Sequence, residues 1–101
     1  MSTEQPSEKE LLKTILEPLL EDFQYWFERS LALLKSKPMP FFTEEEQART
    51  EQRIALALQE VQTSQMLFKA TNGVAGIDSK VVHDWHQLVA ECWSIAKRSR
   101  D

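Results

Sequence analysis

The chain has 101 residues, a formal net charge of −4 and a pI near 5.2. That length sets one domain around one core, and a modest acidic balance is not the footprint of a nucleic-acid-binding surface. Two glycines are too few for the hairpins and bulges of an all-β fold, and one cysteine, Cys92, excludes an intrachain disulfide or a thiolate cluster.

Residues 1–6 read as a disordered lead-in to a single helical domain over 7–101. They are polar and lack the apolar core of a secretory signal. No apolar run approaches the ~20 residues that cross a bilayer. The expected location is therefore the cytoplasm, with neither a transmembrane segment nor a membrane-surface contact.

Ser7-Glu8-Lys9-Glu10 has the Ser-x-x-Glu pattern of a capping box, and the helix it opens is predicted over about 7–35. Its apolar positions run from Leu11 to Leu34 at helical spacing. Pro18 lies inside that pattern and removes one backbone bond, which predicts a kink rather than a break because the register continues across it. Ser36-Lys37-Pro38-Met39-Pro40 cannot be helical throughout, since each proline pushes its predecessor toward extended backbone.

Thr43-Glu44-Glu45-Glu46 is a second capping box, with carboxylates at the positive end of a helix dipole. The helix it opens is predicted over about 44–71, stopped by Asn72-Gly73 in the left-handed conformation. Asp78 or Ser79 caps a third helix over about 79–98. The basic end Lys97-Arg98-Ser99-Arg100 suits the negative end of that helix's dipole. Three helices with short connections predict an all-α, antiparallel up-down-up bundle with a long kinked first helix.

At about 100° per residue, the apolar arc of helix one spans roughly half its circumference. An arc so wide suits contact with both neighbours, which makes helix one the centre of the bundle. The alternative is that Leu20, Phe27 and Leu31 are covered by a partner protein or a second copy. Met39, Phe41 and Phe42 extend that candidate surface, unless the two phenylalanines fold back as a lid. Trp93, at the edge of its helix's arc, completes the candidate partner-binding set, because such an edge faces either a cleft or a partner. Gln47 and Gln65 fall in the middle of helix two's apolar stripe. Each amide then lies at a wet bundle end or makes a hydrogen bond that fixes register.

His83 and His86 stand at i and i+3 and leave the helix on one side, a spacing that two metal ligands use. Cys92 projects away from them toward the core, and no further ligand is in reach by spacing, so no metal or cofactor is expected. With Trp93, the two histidines form an alternative small-ligand site. No Ser-His-Asp or Cys-His set and no phosphate-cradling loop is present, and the acidic residues fall in caps and on solvated faces. The sequence therefore predicts no catalytic residue, and an interaction module rather than an enzyme.

Four stretches carry a family resemblance: Leu16-Glu17-Pro18-Leu19-Leu20-Glu21-Asp22-Phe23; Pro38-Met39-Pro40-Phe41-Phe42-Thr43-Glu44-Glu45-Glu46-Gln47; Ala70-Thr71-Asn72-Gly73 with Gly76-Ile77-Asp78; and Trp85-His86-Gln87-Leu88-Val89 with Glu91-Cys92-Trp93. On these the chain resembles a family of small cyanobacterial proteins defined as a domain of unknown function. The resemblance brings no activity, ligand or catalytic residue. It implies a phototroph's cytoplasm and, by association, an assembly or regulatory role there.

Overall fold

The computed structural model describes residues 8–74 and 76–100, with side chains from Lys13 onward. The lead-in at 1–6 and the Ser7–Glu10 capping box lie outside the described residues and side chains. Three helices make up the fold: α1 (Glu8–Ser36), α2 (Glu44–Ala70) and α3 (Ser79–Arg100). The boundaries at Ser36, Glu44, Ala70 and Ser79 fall within two residues of those predicted from capping and periodicity.

The sequence punctuation acts as its chemistry dictates. Thr43 Oγ1 accepts from the Glu46 backbone N–H at 3.0 Å, while the Glu46 carboxylate accepts from the Thr43 N–H at 2.8 Å, so two otherwise unpaired donors are satisfied. Those bonds to the charged form hold the Glu46 carboxyl below its ordinary range. At the far end of α2, Asn72 and Gly73 take positive φ of 52° and 84°, and Gly73 N–H reaches back to the Phe68 carbonyl at 2.7 Å. Asp78, rather than Ser79, starts α3: its carboxylate accepts from Lys80 N–H and its carbonyl from Val82 N–H. α1 runs unbroken through Pro18.

The topology follows from who touches whom. Lys13 reaches Asn72 at one end of the molecule and the Leu34 carbonyl meets Gln47 at the other, so α1 and α2 are antiparallel. Phe23 meets Trp85 and Trp26 meets Trp93, so α1 and α3 run the same way. α1 packs along both partners, whereas α2 and α3 meet sparsely and are bridged by the bidentate pair Arg53–Glu91 at 2.8 and 3.0 Å. The wide apolar arc of α1 is thus used by two intramolecular neighbours.

This corrects the surface expected on helix one. Leu20 and Phe27 are 1% and 0% exposed, and Leu31 is half-buried against the same core. They join Phe23, Ile54, Val61, Trp85, Cys92 and Ile95 in one cluster, so burial inside the subunit, not a partner, covers them. Burying side chains of this size stabilises by about 1.5–3 kcal/mol each.

The linker is folded in as well. Met39 is 1% exposed, and Phe41 and Phe42 pack partly buried against the core. Gln47, 8% exposed, holds this arrangement. Its amide nitrogen donates to the carbonyls of Leu34 (2.7 Å) and Lys37 (3.0 Å), and its amide oxygen accepts from the Met39 N–H (2.7 Å). One side chain therefore satisfies two backbone groups of the proline-bearing non-helical segment, at Lys37 and Met39, and one in the last turn of α1, at Leu34. The glutamine on α2's apolar stripe thus makes an inter-helix hydrogen bond, to the Leu34 carbonyl of α1, and also latches the linker of its own chain. Arg98 of α3 adds a clasp, with its guanidinium carbon 4.0 Å from the centre of the Phe41 ring. Thr50, also buried, donates to the Glu46 carbonyl at 2.8 Å.

Candidate functional site

With Leu20, Phe27 and Met39 in the core, Phe41 under the clasp and Phe42 packed against Phe41, one member of the expected partner-binding set keeps a wide free surface. Trp93 is 51% exposed. Its indole meets Trp26 edge to face, with ring centres 5.8 Å apart and planes at 81°. Tyr25 meets the same Trp26 at 5.2 Å and 84° and is itself 52% exposed. Arg29 stacks over the Trp26 ring at 5.7 Å and donates to the Tyr25 hydroxyl at 2.8 Å.

Helical spacing explains the arrangement. Tyr25 and Arg29 are i and i+4, and Trp26 and Arg29 are i and i+3, so one turn of α1 brings all three together. On α3, Trp93, Ala96 and Arg100 repeat the pattern, and Arg100 Nε donates to the Ala96 carbonyl at 3.3 Å. Because Ala96 is small, an open groove of about 350 Å³ remains between the helices, lined by Trp26, Arg29, Trp93, Ala96 and Arg100. That volume is at the small end of the ~300–1,000 Å³ range of ligand pockets. Open sides and indole walls suit one large side chain better than an enclosed small molecule.

Sequence reasoning had Trp93 but missed its company. Trp26 reads as core from its place in the apolar arc, and the structure leaves it half-buried, at the groove. Arg100 reads as part of the basic end of the third helix, and Tyr25 and Arg29 stand outside the apolar pattern of the first. The available signal was the pairing of an aromatic with an arginine, at i+3 and i+4 on α1 and at i+7 on α3.

The structure does not assemble the alternative ligand set. His83 and His86 are exposed, His86 setting its ring edge-on to Phe23 at 5.1 Å. His86 lies two helical turns, about 10 Å, from Trp93 along the axis, and neither histidine lines the groove. Among the described residues no group of three or more His, Cys, Asp or Glu converges as metal ligands would. Cys92 is fully buried. Burial pushes its thiol up, against a smaller opposing effect of its hydrogen bond with Ser30, the reverse of what an attacking thiolate requires.

Two further surface grooves differ in kind. One, of about 380 Å³, runs beside the latched linker between Lys35, Lys37, Glu44 and Glu51. The other, of about 450 Å³, lies where α2 and α3 diverge, over Leu56, Val81 and Trp85. Their aromatic residues, Phe42 in the first and Trp85 in the second, pack against the core, on Phe41 and Phe23 respectively, and are mostly covered.

Fold and site together define an all-α three-helix protein whose most organised exposed surface is an aromatic–arginine groove. Among the described residues no helix is long and apolar enough to cross a membrane. The chain belongs to the DUF2605 family, described as "Protein of unknown function", whose model matches residues 6–101. No curated protein and no solved structure matches the chain.

Proposed function

We propose that this protein is a non-enzymatic docking module that holds a partner protein on the α1–α3 face, through Trp93, Tyr25, Trp26 and the arginines beside them. The observation that carries the reading is the pre-arranged exposure of Trp93 and Tyr25. Two large aromatic side chains stand half in water, yet edge contacts to Trp26 and the Arg29–Tyr25 hydrogen bond already fix their positions. Tryptophan, tyrosine and arginine are the residues on which interface energy concentrates, and prior ordering lowers the entropy lost on binding. Covering the free half of one indole, roughly 100 Å² of apolar surface, contributes about 2.5 kcal/mol.

The expected setting is the cytoplasm of a phototroph, where the module serves assembly or regulation. A protein partner is favoured over a small ligand because the groove is open and its walls are flat indoles. Affinity purification of the tagged protein from its source organism tests the reading, comparing wild type with Trp93→Ala and Leu67→Ala. The expected result is a stoichiometric partner retained by wild type and Leu67→Ala but lost from Trp93→Ala; equal recovery by all three overturns it. If the partner is a second copy, sedimentation equilibrium returns a dimer that Trp93→Ala converts to monomer.

A further inference from the structure

We infer that the occupant of the α1–α3 groove is an acidic protein segment, with a bulky apolar residue between carboxylates. This rests on the docking reading of that face and adds the partner's chemistry to it. The argument is one of charge placement. The chain is acidic overall, at −4, but its charges are sorted around α1. Glu17, Glu21 and Glu28 project, at about 100° per residue, to the side opposite Trp26, while Arg29 shares the Trp26 side with one carboxylate, Asp22. Across the groove α3 contributes Lys97 and Arg100, both exposed. Two arginines thus line an aromatic floor, with Lys97 exposed one turn along α3 from Trp93, on a protein of the opposite net sign.

These cations are not engaged in ion pairs of their own. Among the described residues the ion pairs are Arg53–Glu91 and Lys80–Asp84, and both lie off this face. Arg29 and Arg100 line the groove itself. Guanidinium groups present a planar fork that takes a carboxylate through two parallel hydrogen bonds. Arg29 is already oriented by its bond to Tyr25 and its stacking on Trp26. An apolar side chain seated on Trp93 would exclude water between the two arginines and strengthen their attraction for flanking carboxylates. A polyphosphate backbone or an anionic membrane calls for a longer array of cations than Arg29, Arg100 and the neighbouring Lys97 supply.

The test uses the intact purified chain and a random linear-peptide display library. The expected selection is enriched in Asp and Glu beside Leu, Phe or Trp. The selected peptides, resynthesised and titrated by tryptophan fluorescence, should bind more weakly as salt rises. Their affinity should fall at least about tenfold in the Arg29→Glu/Arg100→Glu double variant. Both positions are exposed, so an unchanged far-ultraviolet circular dichroism spectrum shows the variant is folded. Neutral or basic peptides that the double variant binds as well as wild type, but Trp93→Ala does not, overturn the acidic partner and leave docking standing. Selection of no peptide overturns both. Binding to vesicles of phosphatidylglycerol, abolished by the charge reversal and with no peptide selected, assigns the groove to lipid and also overturns the inference.

Discussion

The linker after α1 and the interior turn of α1 at Tyr25–Arg29 handle aromatic and arginine side chains in opposite ways. At the linker, Met39, Phe41 and Phe42 turn inward. Gln47 satisfies the backbone around them, and Arg98 closes over Phe41 at 4.0 Å. Further along the bundle, Tyr25, Trp26 and Trp93 are ordered by one another and by Arg29, yet half of Trp93 and Tyr25 faces water. The residue types are alike; what differs is that Arg98 lies close over Phe41, whereas Arg29, over Trp26 at 5.7 Å, leaves Trp93 and Tyr25 half in water. In the first region aromatic surface is used to hold the chain together. In the second it is organised and left available, which separates a structural cluster from a candidate interface.

The comparison makes unequal demands on mutants. The largest expected effect is on the latch. Gln47→Ala strands three backbone groups near the buried Met39, and urea denaturation should report a loss of roughly 2–4 kcal/mol. A loss below about 1 kcal/mol would mean water replaces the amide without penalty. Next, Arg98→Ala removes the clasp on Phe41 and should cost about 1 kcal/mol by the same assay, with Arg98→Lys recovering less than the full amount because it lacks the planar fork. Trp93→Ala should change stability by no more than about 1 kcal/mol, the value of an aromatic pair, despite removing a tryptophan. Core-like destabilisation by Trp93→Ala would erase the distinction between the two regions.

Two smaller effects concern neither region and serve as references. Arg53→Ala breaks the half-exposed pair joining α2 to α3 and should cost no more than about 1 kcal/mol, diminishing with added salt. Glu46 titrates below its ordinary 4.5 because it accepts the Thr43 N–H in the folded state. A depressed folded value means its contribution is complete above the unfolded value and disappears as pH falls through the folded one. Thermal melts should therefore show wild type and Glu46→Gln converging as the medium is acidified below about pH 4.5.

The three helices were legible because their ends are written in local chemistry. Thr43 with Glu46, Asn72 with Gly73, and Asp78 each act within a few residues of sequence. The central place of α1 was legible too, since an apolar arc on half a circumference suits two neighbours. What Leu20 and Phe27 face was not decided by that arc. A wide apolar stripe is the same string whether a second helix or a second molecule covers it. Nor could periodicity place Met39, Phe41 and Phe42, which sit in a proline-bearing segment without a period and are positioned by tertiary contacts to Gln47 and Arg98. Trp93 was found because it sits at the edge of its arc. Tyr25, Arg29 and Arg100 escaped because their significance arises from the juxtaposition of α1 and α3, more than sixty residues apart in sequence.

The most direct test of the α1–α3 face is hydroxyl-radical footprinting of Trp93 and Tyr25 in cells of the source organism and in the purified chain, with Met66, 71% exposed on α2, as the internal reference. Protection of Trp93 and Tyr25 in cells, with Met66 oxidised equally in both, is the result the account predicts. Equal oxidation of Trp93 in cells and in isolation would contradict it.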